Sequence, residues 1–416
     1  FRPGESITRE QMAAIIRRAL QIQPAKPATA LADGSAVSAW AKADVDTVVA
    51  LELMVGSGNR FNPGEPVTRE MAAVVAMRAY DYKVKHQPAG PNAGSGTSQT
   101  QTERRSVGKQ IEETAAYMQR TITDPTIASV GGDWTVFALA RSGVKVPDAY
   151  YAKYFANVEK TLKEKSGKLH AVKYTEYDRV MLALAAIGKK VDDVAGYDLR
   201  GPLSDFDTLV KQGINGPIFA LIALDSRQYD IPAAKVGKTQ TTRERLIDFI
   251  LQREVTGGGW ALGEHPDQAD PDITAMAIQG LTPYCQSNAQ VKAAVDRAVV
   301  WLSKAQQADG GYASWESVNS ESVAQVIVAL TGLGIDPDTD ARFVKNGKSA
   351  LDALLSYAVP GGGFYHIKPG GTDNGGAKPG EVDAMATDQA MYALVAYDRW
   401  MKGAASLYDL TDVTAR

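Results

Sequence analysis

Pro217-Ile-Phe-Ala-Leu-Ile-Ala-Leu224 is apolar on every side, and it ends at Asp225 after eight residues. A membrane span needs about 18 or more apolar residues, so this run belongs inside a protein core. Five further segments share its character: Trp134-Thr-Val-Phe-Ala-Leu-Ala140, Arg179-Val-Met-Leu-Ala-Leu-Ala-Ala186, Ile273-Thr-Ala-Met-Ala-Ile-Gln-Gly-Leu281, Val323-Ala-Gln-Val-Ile-Val-Ala-Leu330 and Thr387-Asp-Gln-Ala-Met-Tyr-Ala-Leu394. A helix apolar all round is buried all round. Amphipathic, charged segments alternate with them, for example 107–121, 151–165, 242–254 and 291–306. From about residue 105 to 402 this makes twelve helical segments, six inner and six outer. The pattern predicts an all-α fold, an (α/α)6 toroid in which no segment needs to be a strand.

Composition narrows the function classes. The 416 residues are 44% hydrophobic and 22% charged, which excludes wholesale disorder. Lys+Arg 45 against Asp+Glu 48 leaves −3, so the chain lacks the basic field that neutralises phosphates, and nucleic acid is not expected as a partner. The single cysteine, Cys285, has no internal disulfide partner, and no Cys/His spacing suggests a zinc site. No metal is expected, nor any transmembrane segment.

Residues 86–102 hold Gly, Pro, Ser, Thr and Gln with no aliphatic side chain larger than alanine, the composition of a flexible tether. The expected domains are therefore 1–85, the linker 86–102, the toroid 103–402 and a C-terminal tail 403–416. The first domain repeats itself: the stretch beginning Phe1-Arg-Pro-Gly-Glu-Ser-Ile-Thr-Arg-Glu10 returns as Phe61-Asn-Pro-Gly-Glu-Pro-Val-Thr-Arg-Glu70. In each copy a Pro-Gly turn precedes a threonine N-cap, Thr8 or Thr68, with a glutamate in the first helical turn. The chain opens in the middle of such a unit, so upstream sequence with an export leader is expected.

With Leu31-Ala-Asp33, Trp40, Gly56-Ser57-Gly58 and Thr68-Arg69 in order, residues 1 to about 82 resemble the surface-layer homology (SLH) module. The resemblance implies an extracellular protein of a bacterial cell wall or S-layer, bound to anionic secondary cell-wall polysaccharide. In that family three repeats form a prism. Arg9 and Arg69 would meet the polymer's acid group, Trp40 would wall the groove, and Gly56, Ser57 and Gly58 would let the sugar approach. A planar guanidinium suits a carboxylate because it donates two parallel hydrogen bonds. Gln11 and Met71 stand where the family usually carries glutamate, and one and a half repeats need upstream sequence or a neighbouring chain to complete the prism.

Every inner segment has a polar or glycine-rich lead-in, which would gather functional side chains at one mouth of the toroid. These are Asp133 and Trp134; Glu176, Tyr177, Asp178 and Arg179; Asn215; Asp270 and Asp272; Glu321; Asp383 and Asp388. Carboxylates also collect at helix starts simply to cap free N–H groups, so convergence on one cavity is the stronger signal.

Gly257-Gly-Gly-Trp260, Asp270-Pro-Asp272-Ile-Thr-Ala275, Gln306-Gln-Ala-Asp-Gly-Gly-Tyr312 and Gly361-Gly-Gly-Phe364 are similar to repeats of the terpenoid cyclase and protein prenyltransferase superfamily. The resemblance implies the toroid, and three functions stay open. Class II cyclases of the family protonate an alkene with the middle aspartate of Asp-X-Asp-Asp-Thr-Ala. That places Asp272 as general acid beside Asp270, with Ile273 replacing the last acid. A polysaccharide lyase or hydrolase would draw on these acids with Tyr177, Arg179, Asn215, His265 and His366, and on Trp134, Trp260, Tyr312 and Trp315 for sugar stacking. The third reading is a binder that holds a small ligand in its central cavity with these same residues, as corrinoid carriers of this fold do. No cofactor is otherwise expected.

Overall fold

A computed structural model describes residues 6–20, 22–25, 31–56, 59–68, 71–72, 74–76, 78–79, 82 and 96–414, with side chains from 107 onward in the last stretch. The chain divides into two compact units, Phe1–Gln101 and Thr102–Arg416.

The first unit is organised by helices α1 (Arg9–Ala19) and α2 (Lys42–Ala50). Thr8 and Gln11 cap α1 reciprocally. The Thr8 hydroxyl accepts from the Gln11 amide at 3.4 Å, and the Gln11 side chain accepts from the Thr8 amide at 2.9 Å. The turn of the second repeat copy closes on the helix of the first: Arg9 N–H donates to Glu65 C=O and Val67 N–H to Ile7 C=O, both at 2.9 Å. Asp33 holds that turn from below by accepting from the Phe61 and Asn62 amides at 2.9 and 2.7 Å. Ala13, Val45, Val48, Leu53 and Phe61 form the buried core between them.

In the second unit the inner helices are α4 (Asp133–Arg141), α6 (Thr175–Ala186), α8 (Asn215–Asp225), α10 (Pro271–Leu281), α12 (Ser320–Gly332) and α14 (Ala384–Met401). Each packs on the next, and α14 returns to α4, so the ring closes. Alanines such as Ala138, Ala183, Ala223, Ala277, Ala329 and Ala393, all 0% exposed, let neighbouring backbones approach. The outer layer is α3 (Gly96–Thr121), α5 (Asp148–Glu164), α9 (Arg243–Leu251), α11 (Ala289–Ala305) and α13 (Ala350–Leu355). Between α6 and α8 the outer position holds only α7 (Phe206–Leu209), flanked by 3-10 turns at Gly201–Ser204 and Val210–Gln212. Twelve helical segments were expected, and the third outer one is a single helical turn between two 3-10 turns.

The fold is all-α as expected, and two-residue ladders only tighten turns between helices: β1 (Ala313–Ser314) with β2 (Ser317–Val318), β3 (Val344–Lys345) with β4 (Lys348–Ser349), and β5 (Phe364–Tyr365) with β6 (Val382–Asp383). Two expected boundaries need correction. Helix α3 begins at Gly96, inside the stretch read as a tether. Residues 403–414 are no tail. Leu407 and Leu410 are buried, Leu410 N–H donates to Ser226 C=O at 2.8 Å, and Tyr408 stacks on Phe137 at 5.5 Å.

Arg141, at the end of α4, fastens this segment. Its guanidinium donates to the carbonyls of Leu407 (3.1 Å), Ser406 (2.9 Å) and Asp409 (2.8 Å) and pairs with Asp412 at 2.6 Å. It is 4% exposed, so removing it strands several buried acceptors. Arg141→Ala should cost about 3–5 kcal/mol by urea unfolding and open 403–414 to proteolysis before the rest of the toroid.

Candidate functional site

The inner-helix lead-ins do gather at one end of the ring, and most of their side chains hold one another. Asp133 is fully buried; it accepts from the Tyr154 hydroxyl at 2.7 Å and from Arg179 at 3.2 Å, and Arg179 pairs with Glu176 at 2.8 Å. Burial pushes the Asp133 carboxyl up, against the pull of Arg179 and Tyr154. Tyr177 spends its hydroxyl on the Leu169 amide at 2.9 Å. These four expected cavity residues thus tie α4, α5 and α6 together. Trp134 lies across the ring axis in contact with Tyr392 and Phe219, at centroid distances of 5.6 and 6.1 Å. Trp260 is fully buried, its indole N–H on Ile250 C=O at 2.8 Å and its backbone N–H on the Thr274 hydroxyl at 2.9 Å. Gly259 just before it has φ +87, and a Cβ there would meet Thr274 Oγ1 at 2.7 Å, so the close approach requires glycine. Tyr312 is also fully buried. Neither Trp260 nor Tyr312 faces a mouth.

Unpartnered acceptors lie in the same layer. Among the described residues, both carboxylate oxygens of Asp178, Oδ1 of Asn215 and Oδ1 of Asp272 are buried without a hydrogen-bond partner. Burial raises Asp178 well above the usual carboxylate range. Asp388 accepts from the Thr135 hydroxyl at 2.6 Å and the Gly131 amide at 3.3 Å, and burial still lifts it to about 7.

Around α10, α12 and α14 the acids separate into caps and titrating groups. Asp270 caps α10, accepting from the Asp272 and Ile273 amides (2.9 and 3.2 Å) and from the Ser314 hydroxyl (2.6 Å). Asp383 caps α14 through the Ala386 amide at 2.7 Å. Asp272 is raised to about 7 by burial and then by the neighbouring Asp270, with the Ser322 hydroxyl opposing. Glu321 sits 2.8 Å from His366 Nδ1 and thereby raises the imidazole. His366 Nε2 is 3.1 Å from the Asn374 amide, which reaches Ser317 Oγ at 3.0 Å. Trp315, next to Ser317, is 79% exposed. Sequence reasoning had His366 among its glycan-active candidates but not Asn374 or Ser317, since nothing in spacing brings loop 366–380 onto the β1–β2 turn.

A cavity lies at the opposite end of the ring from these lead-ins. A space of about 830 Å³ opens among the C-terminal ends of α8, α10, α12 and α14, under the docked segment 403–411. Ile222, Val328, Ala396, Trp400 and Leu407 give it apolar walls. Asp225, Arg243 and Asp409 are its charged groups, and Asp225 is bound by Arg243 Nε at 2.7 Å and by the Tyr284 hydroxyl at 2.6 Å. Gln279 donates to Gln325 at 3.0 Å and leaves its own Oε1 buried and unpartnered among the described residues. The only sequence signal was the small residues Gly280, Gly332 and Gly334 at the helix ends. No group of three or more His, Cys, Asp or Glu among the described residues is placed to hold a metal ion, and no helix there is long and apolar enough to cross a membrane.

In the first unit Arg9 is turned inward rather than toward a groove. It is 8% exposed, donating to Phe61 C=O at 2.7 Å and Val55 C=O at 3.0 Å, with its guanidinium 4.9 Å from the Phe61 ring. The expectation of a polymer-binding charge fails there because repeat closure uses the donors. Trp40 is 53% exposed. A Cβ on Gly56 would meet Arg60 O at 1.8 Å, so this glycine serves a backbone crossing. Ser57, Gly58 and Arg69 lie outside the described residues.

Residues 31–73 match the S-layer homology domain. This SLH domain lies within the first unit and carries Asp33, Trp40 and the turn that closes on α1. No curated protein matches the chain. Among solved structures the chain is similar to a type II terpene cyclase from Scytonema in complex with merosterolic acid A, at 12% identity over 72% of this chain and 99% of that one, TM-score 0.44. It is similar to a polysaccharide lyase at 12% identity over 72% and 98%, TM-score 0.43. It is also similar to ent-copalyl diphosphate synthase from Streptomyces platensis at 16% identity over 94% and 68%, TM-score 0.38. These likenesses say nothing of activity.

The raised acids set a pH dependence. An unfolded aspartate loses its proton near pH 4, whereas folded Asp388 and Asp272 keep theirs to about 7. Between those values the folded state binds more protons, so stability falls as pH rises, by up to about 4 kcal/mol per group. Asp388→Asn keeps an acceptor for Thr135 and removes one share. Its urea midpoint should vary less than the wild type's between about pH 4 and 7. An unchanged slope would mean that Asp388 is already ionised at low pH.

Proposed function

We propose that this is a bacterial cell-surface protein, held outside the cell by its SLH domain on secondary wall polysaccharide, whose toroid receives a small apolar molecule. The cavity at the C-terminal ends of the inner helices carries this reading. Its volume of about 830 Å³ falls in the range of small-molecule sites, and its walls expose more apolar than polar surface, with Ser226, Gln228, Thr282 and Asp409 among the polar side chains. Arg243 is already committed to Asp225, so a phosphate or carboxylate finds no free cation on this wall. A neutral, largely apolar molecule suits that lining, with Gln228, Thr282 and Thr331 there to meet a hydroxyl.

Alkene protonation by Asp272 is the second reading: burial raises this carboxyl to about 7, so it holds a proton to give, but Ile273 stands where the motif's last acid would be.

Gly332 lines the cavity, and a Cβ there meets nothing within 4 Å. Gly332→Trp should fill the space without disturbing the ring. Retention of geranylgeraniol by the wild type, seen by native mass spectrometry, should disappear in the variant, whereas equal retention would move the ligand elsewhere. For anchoring, Trp40→Ala alters an exposed side chain and should weaken binding to purified secondary wall polysaccharide by about tenfold without shifting Tm. Unchanged binding would remove Trp40 from the groove.

A further inference from the structure

Trp315 and Glu316 form the two-residue turn between β1 and β2, with φ of +50 and +64. Such a turn ordinarily takes Asn-Gly, because both central residues are left-handed. A tryptophan there is strained, and at 79% exposure it gains little from burial in return. The fold does not need this side chain, yet it holds the turn rigidly. On one flank Ser314 Oγ donates to Asp270 at 2.6 Å; on the other the Asn374 amide donates to Ser317 Oγ at 3.0 Å. Asn374 also meets His366 Nε2 at 3.1 Å, and His366 Nδ1 meets Glu321 at 2.8 Å. The turn that carries this exposed indole is therefore tied to a chain of hydrogen-bonding groups, Ser317, Asn374, His366 and Glu321, at the mouth opposite the cavity.

We propose that Trp315, with Asn374, His366 and Glu321 beside it, forms a binding site for a neutral glycan chain. A sugar ring has a flat face of C–H groups that packs on an indole and an edge of hydroxyls that both donate and accept. The site offers that pairing: one aromatic plane, the Ser317 hydroxyl that accepts from Asn374 and can still donate, and the exposed Asn374 and Glu316 oxygens that accept, while His366 and Glu321 bond each other and hold Asn374 in place. Charge selects against acidic sugars. Glu316 and Glu321 bring negative charge, and Lys368 is shared between Asp309 (3.7 Å) and the Tyr357 ring (4.5 Å). The side chains bonded to the turn are polar, which suits a hydroxyl-rich ligand better than the apolar core of a protein interface. The site is independent of the cavity reading, since it lies at the other end of the ring.

The test is isothermal titration of the full chain with cellohexaose, xylohexaose and chitohexaose, and with oligogalacturonate as the acidic comparison. At least one neutral oligosaccharide should bind, and oligogalacturonate should bind more weakly. Trp315→Ala should weaken the neutral ligand by about tenfold or more with Tm unchanged, and Trp315→Phe should recover part of the loss. Asn374→Ala should weaken it too. Failure of every neutral oligosaccharide overturns the proposal, as does equal affinity in Trp315→Ala. If Trp315→Ala instead abolishes self-association or capture of a protein while glycan binding is unaffected, the turn is a protein-docking element and the glycan site is refuted.

Discussion

The toroid rests on one demand: six helices that are apolar on all sides have nowhere to go except against each other. Each must lose its surface to two inner neighbours and an outer cover, and only a closed ring supplies that for all six. The contact of α14 with α4 is therefore a requirement rather than an ornament. Alanine at the inter-helix seams sets the spacing, and Trp134 packs against Phe219 and Tyr392 from other inner helices. The two ends of the ring differ in chemistry. Acidic side chains gather at one, and a partly apolar cavity opens at the other.

That difference explains what could be read from residues alone. The inner helices were legible because their composition leaves a single solution, and the outer ones because charge recurs at helical spacing. The third outer position was not, since Pro202 and short turns do the covering there over too few residues to show a period. Lead-in acids were legible as positions but not as roles. Asp270 and Asp383 turned out to be caps, and Asp133 an ion-pair centre, because a helix start rewards a carboxylate whatever lies beyond it. The Asn374 to Ser317 contact joins residues 57 positions apart across irregular loops, for which sequence carries no period.

The first unit shows the same difficulty in a smaller space. Arg9 occupies a position at which a motif points to ligand chemistry, yet two carbonyls and a ring of the following repeat copy engage its guanidinium. Whether an arginine faces polymer or backbone is decided by how its repeat meets the next one. Trp40 keeps its exposure because α2 carries the core on its other side, through Val45 and Val48.

The docking of residues 403–414 has a consequence for how the molecule comes into being. Arg141 receives its partners from residues 265 to 271 positions later, and α4 meets α14 across a comparable span. Contacts of such separation form late and slowly. During synthesis the first inner helix must wait, with its apolar faces uncovered, until residues 403–414 have been made. The ring is thus a structure that latches through a segment made more than 260 residues after Arg141, and a nascent chain that has not reached it stays open.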